Sequence, residues 1–202
     1  MTGQATTRWL EDQKQELAVD RILEAARHVF MSDGIRPARM GKIAEIAGCS
    51  RATLYRYFPN KDALLQAYMM RVAEEVWEIL SNRLGGMTSF GERLVEATAI
   101  SIELIGEREE IAPFFNEEGM GLTAQLASNT SAVRGLMVDR IGDESSSAEL
   151  RGQLRPEVSP EEAAEWVLGT IFAISVLPAE KRSAATLREY LRKMLVPSLV
   201  EG

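Results

Sequence analysis

At 202 residues the chain is long enough to bury a sizeable apolar core, either as one compact domain or as a small module joined to a larger one. Its one cysteine, Cys49, excludes an intrachain disulfide and a cysteine-based metal cluster, which fits a reducing, cytoplasmic setting. The formal charge of −7 argues at first against a nucleic-acid partner, but the charge is unevenly spread. From Gly34 to Lys61 the basic residues Arg36, Arg39, Lys42, Arg51, Arg56 and Lys61 face a single acid, Glu45, giving +5, whereas from Gln66 onward 13 basic and 22 acidic residues give −9. A phosphate feels the local field within a Debye length, so a basic face on an acidic body remains compatible with DNA.

The N-terminus lacks the basic start and apolar run of a signal peptide, and no stretch of about eighteen uncharged apolar residues follows. Hydrophobic spacing is helical almost throughout, which predicts an all-α protein. The first helix spans about Gln15 to Asp33, with Val19, Ile22, Leu23, Ala26, Val29 and Phe30 on its apolar stripe and Gly34 as its C-terminal cap. The residues ahead of it are an arm or an extension of that helix, and the sequence leaves both open.

Two short helices come next, Met40 to Ala47 and Arg51 to Phe58. Gly48 allows a sharp turn between them, and Ser50 is a good N-cap for the second. Pro59-Asn60 ends that helix, and Asn60 can cap a long one from Lys61 to about Leu84, which Gly85-Gly86 breaks. Further amphipathic runs lie at about Phe90 to Ile105, Glu109 to Asn116, Leu122 to Ile141, Pro160 to Leu177 and Ser183 to Leu195. Gly142 to Val158 is the best candidate for a flexible loop, Ser159-Pro160-Glu161-Glu162 signals a capped helix start, and the apolar stretch Trp166 to Leu177 reads as a buried helix.

With Leu54 as the inward reference and 100° per residue, Phe58 falls on the same side of the second short helix, while Ala52 and Arg56 lie nearly opposite, flanked by Thr53 and Tyr55. Such a face suits a major groove: arginine pairs with guanine or phosphate, and the Thr53 methyl can meet a thymine. Met40, Ile43, Ala44 and Ala47 form a stripe that can pack on Leu54 and Phe58. For one isolated helix, a plain core with a solvated arginine face is the commoner reading; the matching partner helix and glycine turn shift it toward a helix-turn-helix.

The string IAEIAGCSRATLYRYFPNKDALL, Ile43 to Leu65, together with AARHVFMSDG, residues 25 to 34, resembles the DNA-binding signature of the TetR family of transcriptional regulators. The resemblance covers roughly Val19 to Leu65. It implies a subunit of about nine helices, a homodimer, and a palindromic operator read by one recognition helix per subunit. Arg39, Met40, Ser50, Arg51, Ala52, Thr53, Tyr55, Arg56, Tyr57 and Lys61 are the expected DNA contacts. Residues 1–62 then form the DNA-binding domain and 63–202 the ligand-binding and dimerisation domain. Two departures stand out: Arg39 occupies the position where the family usually caps the preceding helix with Thr or Ser, and Ile35 replaces the usual aromatic after Gly34. Cys49 takes the place of a valine and reads as a buried isostere.

The resemblance also implies a dimer seam on the last two helices, with Trp166, Val167, Thr170, Ile174, Leu187, Tyr190, Leu191 and Met194 as candidates, and a ligand pocket among the central helices. Phe114, Phe115, Met120, Leu122, Leu126 and Met137 are candidate walls, with Thr98, Ser101 or Asn116 as polar anchors. For each of these, ordinary core is the competing assignment. The expected effector is largely apolar, because acids outnumber bases in the body and no histidine or arginine cluster is visible there.

Catalysis finds little support. His28 is the only histidine and sits off the apolar stripe of its helix, the paired glutamates are adjacent rather than facing, and no phosphate loop, nucleophile elbow or metal spacing occurs. No catalytic residue, metal or cofactor is expected. The function expected is a repressor released by a small molecule; the alternative is a helix-turn-helix regulator gated by a protein partner, or one without any small-molecule effector.

Overall fold

The computed structural model describes residues 3–115, 131–146, 153–176 and 182–201. Their helices are α1 (Gly3–Asp33), α2 (Met40–Ile46), α3 (Arg51–Tyr57), α4 (Lys61–Leu84), α5 (Phe90–Glu107), α6 (Ala112–Phe115), α7 (Ser131–Ser146), α8 (Pro160–Val176), α9 (Ala184–Met194) and α10 (Val196–Leu199). The fold is all-α; among the described residues the β pairing is limited to an isolated antiparallel bridge between Leu154 and Val200. None of the described helices is long and apolar enough to cross a membrane. The chain divides into two compact units, Met1–Met69 and Met70–Gly202.

In the first unit the residues ahead of Gln15 extend α1 rather than forming an arm. From Gln4 to Lys14 there is no glycine or proline to stop propagation, and adding a residue to a formed helix costs far less than nucleating one. Gly34 ends α1 at φ 83°, its N–H donating to the Phe30 carbonyl at 3.1 Å. Ile22, Ala26, Val29 and Phe30 of α1, Ile43 and Ala44 of α2, Leu54 of α3 and Leu64, Leu65 and Tyr68 of α4 are buried. Val19, expected on the same stripe, is only half-buried. Phe30 and Tyr68 meet edge to face, with centroids 5.4 Å apart and planes at 74°.

In the second unit α5 packs against α8, α9 and α10, and α7 lies along α8. Phe90, Leu94, Val95 and Ala99 of α5 share one core with Ile141, Ala163, Ala164, Val167, Ile171, Leu187, Leu191, Leu195 and Leu199. Each fully buried leucine of this kind contributes about 1.5–3 kcal/mol relative to leaving it exposed. Leu80 and Leu84 of α4 form a second cluster with Ile100 and Leu104. The capping box at α8 forms as its sequence predicts: Ser159 N–H donates to Glu162 Oε2 at 2.9 Å, and Glu162 N–H to Ser159 Oγ at 3.2 Å.

Several boundaries differ from expectation. α6 starts at Ala112 rather than Glu109, because Arg108 leaves the helical region at the end of α5 and Glu109 to Ile111 form a turn. The run expected from Leu122 begins in residues outside the described set, and α7 continues past Ile141 to Ser146, so Gly142 is helical. The second half of the expected flexible loop is pinned. Arg155 N–H donates to Leu199 O at 2.9 Å and Glu201 N–H to Gln153 O at 3.0 Å. The Gln153 side chain accepts from Phe90 N–H at 2.8 Å and donates to Thr88 O at 3.2 Å. α8 is not buried all round, since Trp166 is 53% exposed.

Candidate DNA-reading face and ligand cavity

The turn between α2 and α3 is built locally. Gly48 adopts φ 66°, and Cys49 N–H donates to Ala44 O at 3.0 Å, reversing the chain. Ser50 then caps α3, its Oγ accepting from Thr53 N–H at 3.0 Å and meeting Thr53 Oγ1 at 2.9 Å. Leu54 and Phe58 point into the core, which turns Arg51, Ala52, Tyr55 and Arg56 to solvent. Tyr55 is 48% exposed, a large aromatic left half in water. Thr53 and Tyr57 are half-buried beside this face, and the Arg56 guanidinium lies over the Tyr57 ring, 5.1 Å from its centroid.

Some expected contacts are placed differently. Met40 is 9% exposed and belongs to the core of the first unit, so its side chain is withdrawn from a groove. Lys61 Nζ donates to the Arg36 and Ala38 carbonyls at 2.7 and 3.3 Å, which ties the start of α4 to the α1–α2 loop and leaves one N–H for a phosphate. Burial pushes this ammonium below the usual lysine value, against a smaller upward pull from Asp62. Arg39 is exposed at the N-cap of α2 and its side chain makes no capping bond, so that helix lacks a side-chain cap. Cys49 is half-exposed rather than buried.

Asp33 lies one residue outside the basic window counted in the sequence. Lys42 Nζ sits 2.7 and 2.8 Å from its two oxygens, and this bond, helped by Ser32, holds the carboxyl below its usual value. With Lys42 paired to Asp33 and Lys61 tied to backbone carbonyls, the window's other basic residues, Arg36, Arg39, Arg51 and Arg56, are exposed.

In the second unit a cavity of about 40 Å³ opens among α4, α5, α7 and α8. It brings together three of the candidate pocket residues, Thr98, Ser101 and Met137. Phe114 and Phe115 lie elsewhere: Phe114 is buried and Phe115 faces Phe172, with centroids 6.4 Å apart. Met120, Leu122, Leu126 and Asn116 lie outside the described residues. The sequence reading missed Trp77, Arg93 and Arg140, which also line the cavity. Arg140 stacks on Trp77 at 5.2 Å from the ring centroid, and Arg93 Nη1 donates to Leu84 O at 2.7 Å. The expectation that the body clusters no arginines is thus overturned, because two arginines 47 positions apart meet at one cavity.

The candidate seam residues divide as well. Val167, Leu187 and Leu191 are buried in the core of their own unit. Ile174 and Tyr190 pack partly against that core, and Thr170 Oγ1 donates to the Trp166 carbonyl at 2.8 Å. Trp166 and Met194 stand 53% and 57% exposed. Among the described residues of this unit, these are the two large apolar side chains left more than half exposed.

A glycine-turned helix pair with an outward basic and aromatic face, joined to a helical body, defines a helix-turn-helix DNA-binding transcriptional regulator. The family model of the bacterial regulatory proteins of the tetR family matches residues 22–68 of this chain. An uncharacterised HTH-type transcriptional regulator of Mycobacterium tuberculosis is 28% identical over 195 residues, covering 96% of this chain and 91% of that protein. AibR, solved in complex with isovaleryl coenzyme A and operator DNA, is 25% identical with a TM-score of 0.53, covering 89% of this chain and 98% of its own. RolR, solved with resorcinol, shares the fold at a TM-score of 0.68 and 17% identity, over 93% of this chain and 90% of that one.

Proposed function

We propose that the chain is a homodimeric repressor that reads a palindromic operator with α3 of each subunit and is released when a small ligand with a largely apolar contact surface fills the cavity of the body. Residues 1–62 carry the DNA contacts and 63–202 the ligand and the dimer seam. The observation that carries this reading is the α3 face: Leu54 and Phe58 anchor the helix, so Arg51, Ala52, Tyr55 and Arg56 are turned to solvent. AibR supports the pairing of effector and operator in one protein of this fold. Two recognition helices must match half-sites about one DNA turn apart, so a ligand that changes their spacing weakens binding.

Fluorescence anisotropy on duplexes that include the protein's own upstream region, at two salt concentrations, tests the DNA reading. Tight, salt-sensitive binding that an Arg56→Ala, Tyr55→Ala double variant loses is the expected result. Binding that survives the double variant unchanged would remove α3 from the groove. Release by a small molecule is tested on the same operator: if no cavity ligand alters the affinity, gating by a protein partner replaces it.

A further inference from the structure

We propose that the cavity of the body takes the carboxylate head of a small amphiphile, with Arg140 as its ion-pair partner and the Thr98 hydroxyl as a second donor; this rests on the ligand-released reading above and names the chemical class of that ligand.

The first observation is an unmet donor. A hydroxyl on a helix ordinarily returns its proton to the carbonyl four residues back. Ser101 does so, donating to Ala97 O at 2.7 Å, and Thr170 does the same to Trp166 O at 2.8 Å. Thr98 does not: its side chain is fully buried, lines the cavity, and its Oγ1 has no hydrogen-bond partner. A buried hydroxyl without a partner is unfavourable until a ligand supplies an acceptor.

The second is the sign of the field. Arg140 and Arg93 both line the cavity and, among the described residues, no acidic one does, although the surrounding unit is acidic. Arg93 is anchored to the end of α4 by its bond to Leu84 O, but Arg140 Nε is buried and has no hydrogen-bond partner. A guanidinium stacked on Trp77 with its Nε unmet presents a planar donor edge, the geometry that carboxylates take up best.

The third is size and lining. About 40 Å³ holds a carboxylate or a few waters but falls far short of the roughly 300–1,000 Å³ of a site for a whole drug-sized ligand. The remaining wall is Trp77, Met137 and aliphatic side chains, and methionine re-packs easily, so the apolar part of the ligand enters by displacing it.

Benzoate and octanoate, compared with benzamide and octanamide, test the assignment on the full-length protein by thermal shift and tryptophan fluorescence, with operator anisotropy in parallel. The carboxylates should raise the melting temperature and bind about tenfold or more tightly than the amides. Arg140→Gln should abolish that preference, Arg140→Lys should keep part of it, and Thr98→Val should weaken the carboxylates while leaving the unliganded melting temperature unchanged or raised. Because Thr98→Val is isosteric, it reads the site even if the Trp77 stack makes Arg140→Gln unstable. Amides that bind as well as carboxylates, indifference to both variants, or no binding at millimolar concentrations would overturn the proposal. If amides bind and release operator, the anion class fails and the ligand-released reading stands. If carboxylates bind through Arg140 and Thr98 without touching operator affinity, the site stands and that reading fails.

Discussion

The Arg51 guanidinium, at the start of α3, lies directly over Gly41 of the preceding helix: a Cβ at position 41 would stand 2.6 Å from Nη2 and 3.0 Å from Cζ and Nε. Glycine at this point is thus a seat for the arginine. Gly41→Ala should displace the guanidinium, the movable partner, and should leave the first unit as stable as before or up to about 1 kcal/mol more stable through better helix propensity. Operator affinity should fall, by less than the roughly 1–3 kcal/mol expected for Arg51→Ala. Melting curves and anisotropy on the same samples check both parts; an unchanged operator affinity would show that the seat is irrelevant to DNA.

Lys61 is a strap before it is a phosphate ligand. Its ammonium holds two loop carbonyls, Arg36 O and Ala38 O, across 25 and 23 residues. Lys61→Met keeps the aliphatic stem and leaves both carbonyls without this donor, which should cost about 1–3 kcal/mol. The slope of log affinity against log salt should shrink by no more than roughly 0.9, the value of a single phosphate contact. A larger drop in slope with unchanged stability would reverse the assignment.

Arg188 of α9 joins two carboxylates of α5. Its Nε reaches Glu96 at 2.8 and 2.9 Å, and its Nη1 reaches Glu103 at 2.6 Å, with all three side chains about a quarter exposed. Arg188→Ala should destabilise the second unit by about 1–3 kcal/mol, since it leaves two like charges facing each other. Adding Glu96→Gln should recover part of the loss, and chemical denaturation of the two variants shows whether it does.

The Glu92–Arg192 pair gives the same α5–α9 contact a pH dependence. Arg192 donates to both Glu92 oxygens at 2.8 Å, which holds that carboxyl below its usual value of 4.5. The folded value is depressed, so the contribution is complete above pH 4.5 and is lost as pH falls through the lower folded value. Both partners are more than a third exposed, so the effect is small, roughly 0.2–1 kcal/mol. Stability titrated from neutral to acid should fall less steeply in Glu92→Gln than in the parent below pH 4.5, and identical slopes would dismiss the pair.

The DNA-reading unit was largely legible because its determinants are close in sequence. Gly34, Gly48, Ser50 and Asn60 each act within four residues, as in the bond from Ala63 N–H to Asn60 Oδ1 at 2.8 Å. The body was legible only as helices. Periodicity marks Val167, Leu187 and Leu191 as apolar without saying whether their own chain or a second copy covers them, and α5 covers them. Arg93 and Arg140 look unrelated along the chain and converge only once α5 and α7 are packed. Gln153 reads as loop because the groups that hold it, at Thr88, Phe90 and Glu201, are about fifty or more residues away.

Leu199 is buried in the same core as Phe90, and Gly91 faces Val196, where an added Cβ would come within 3.2 Å of Cγ1. During synthesis the helices of the first unit emerge with every partner they need in their first 69 residues, so they can fold on the ribosome. The body has no such head start: α5 waits, its apolar face open, for roughly a hundred residues of translation until Leu199 clears the exit tunnel. A nascent chain therefore carries a completed first unit while the core of its second unit is still waiting for its last helices.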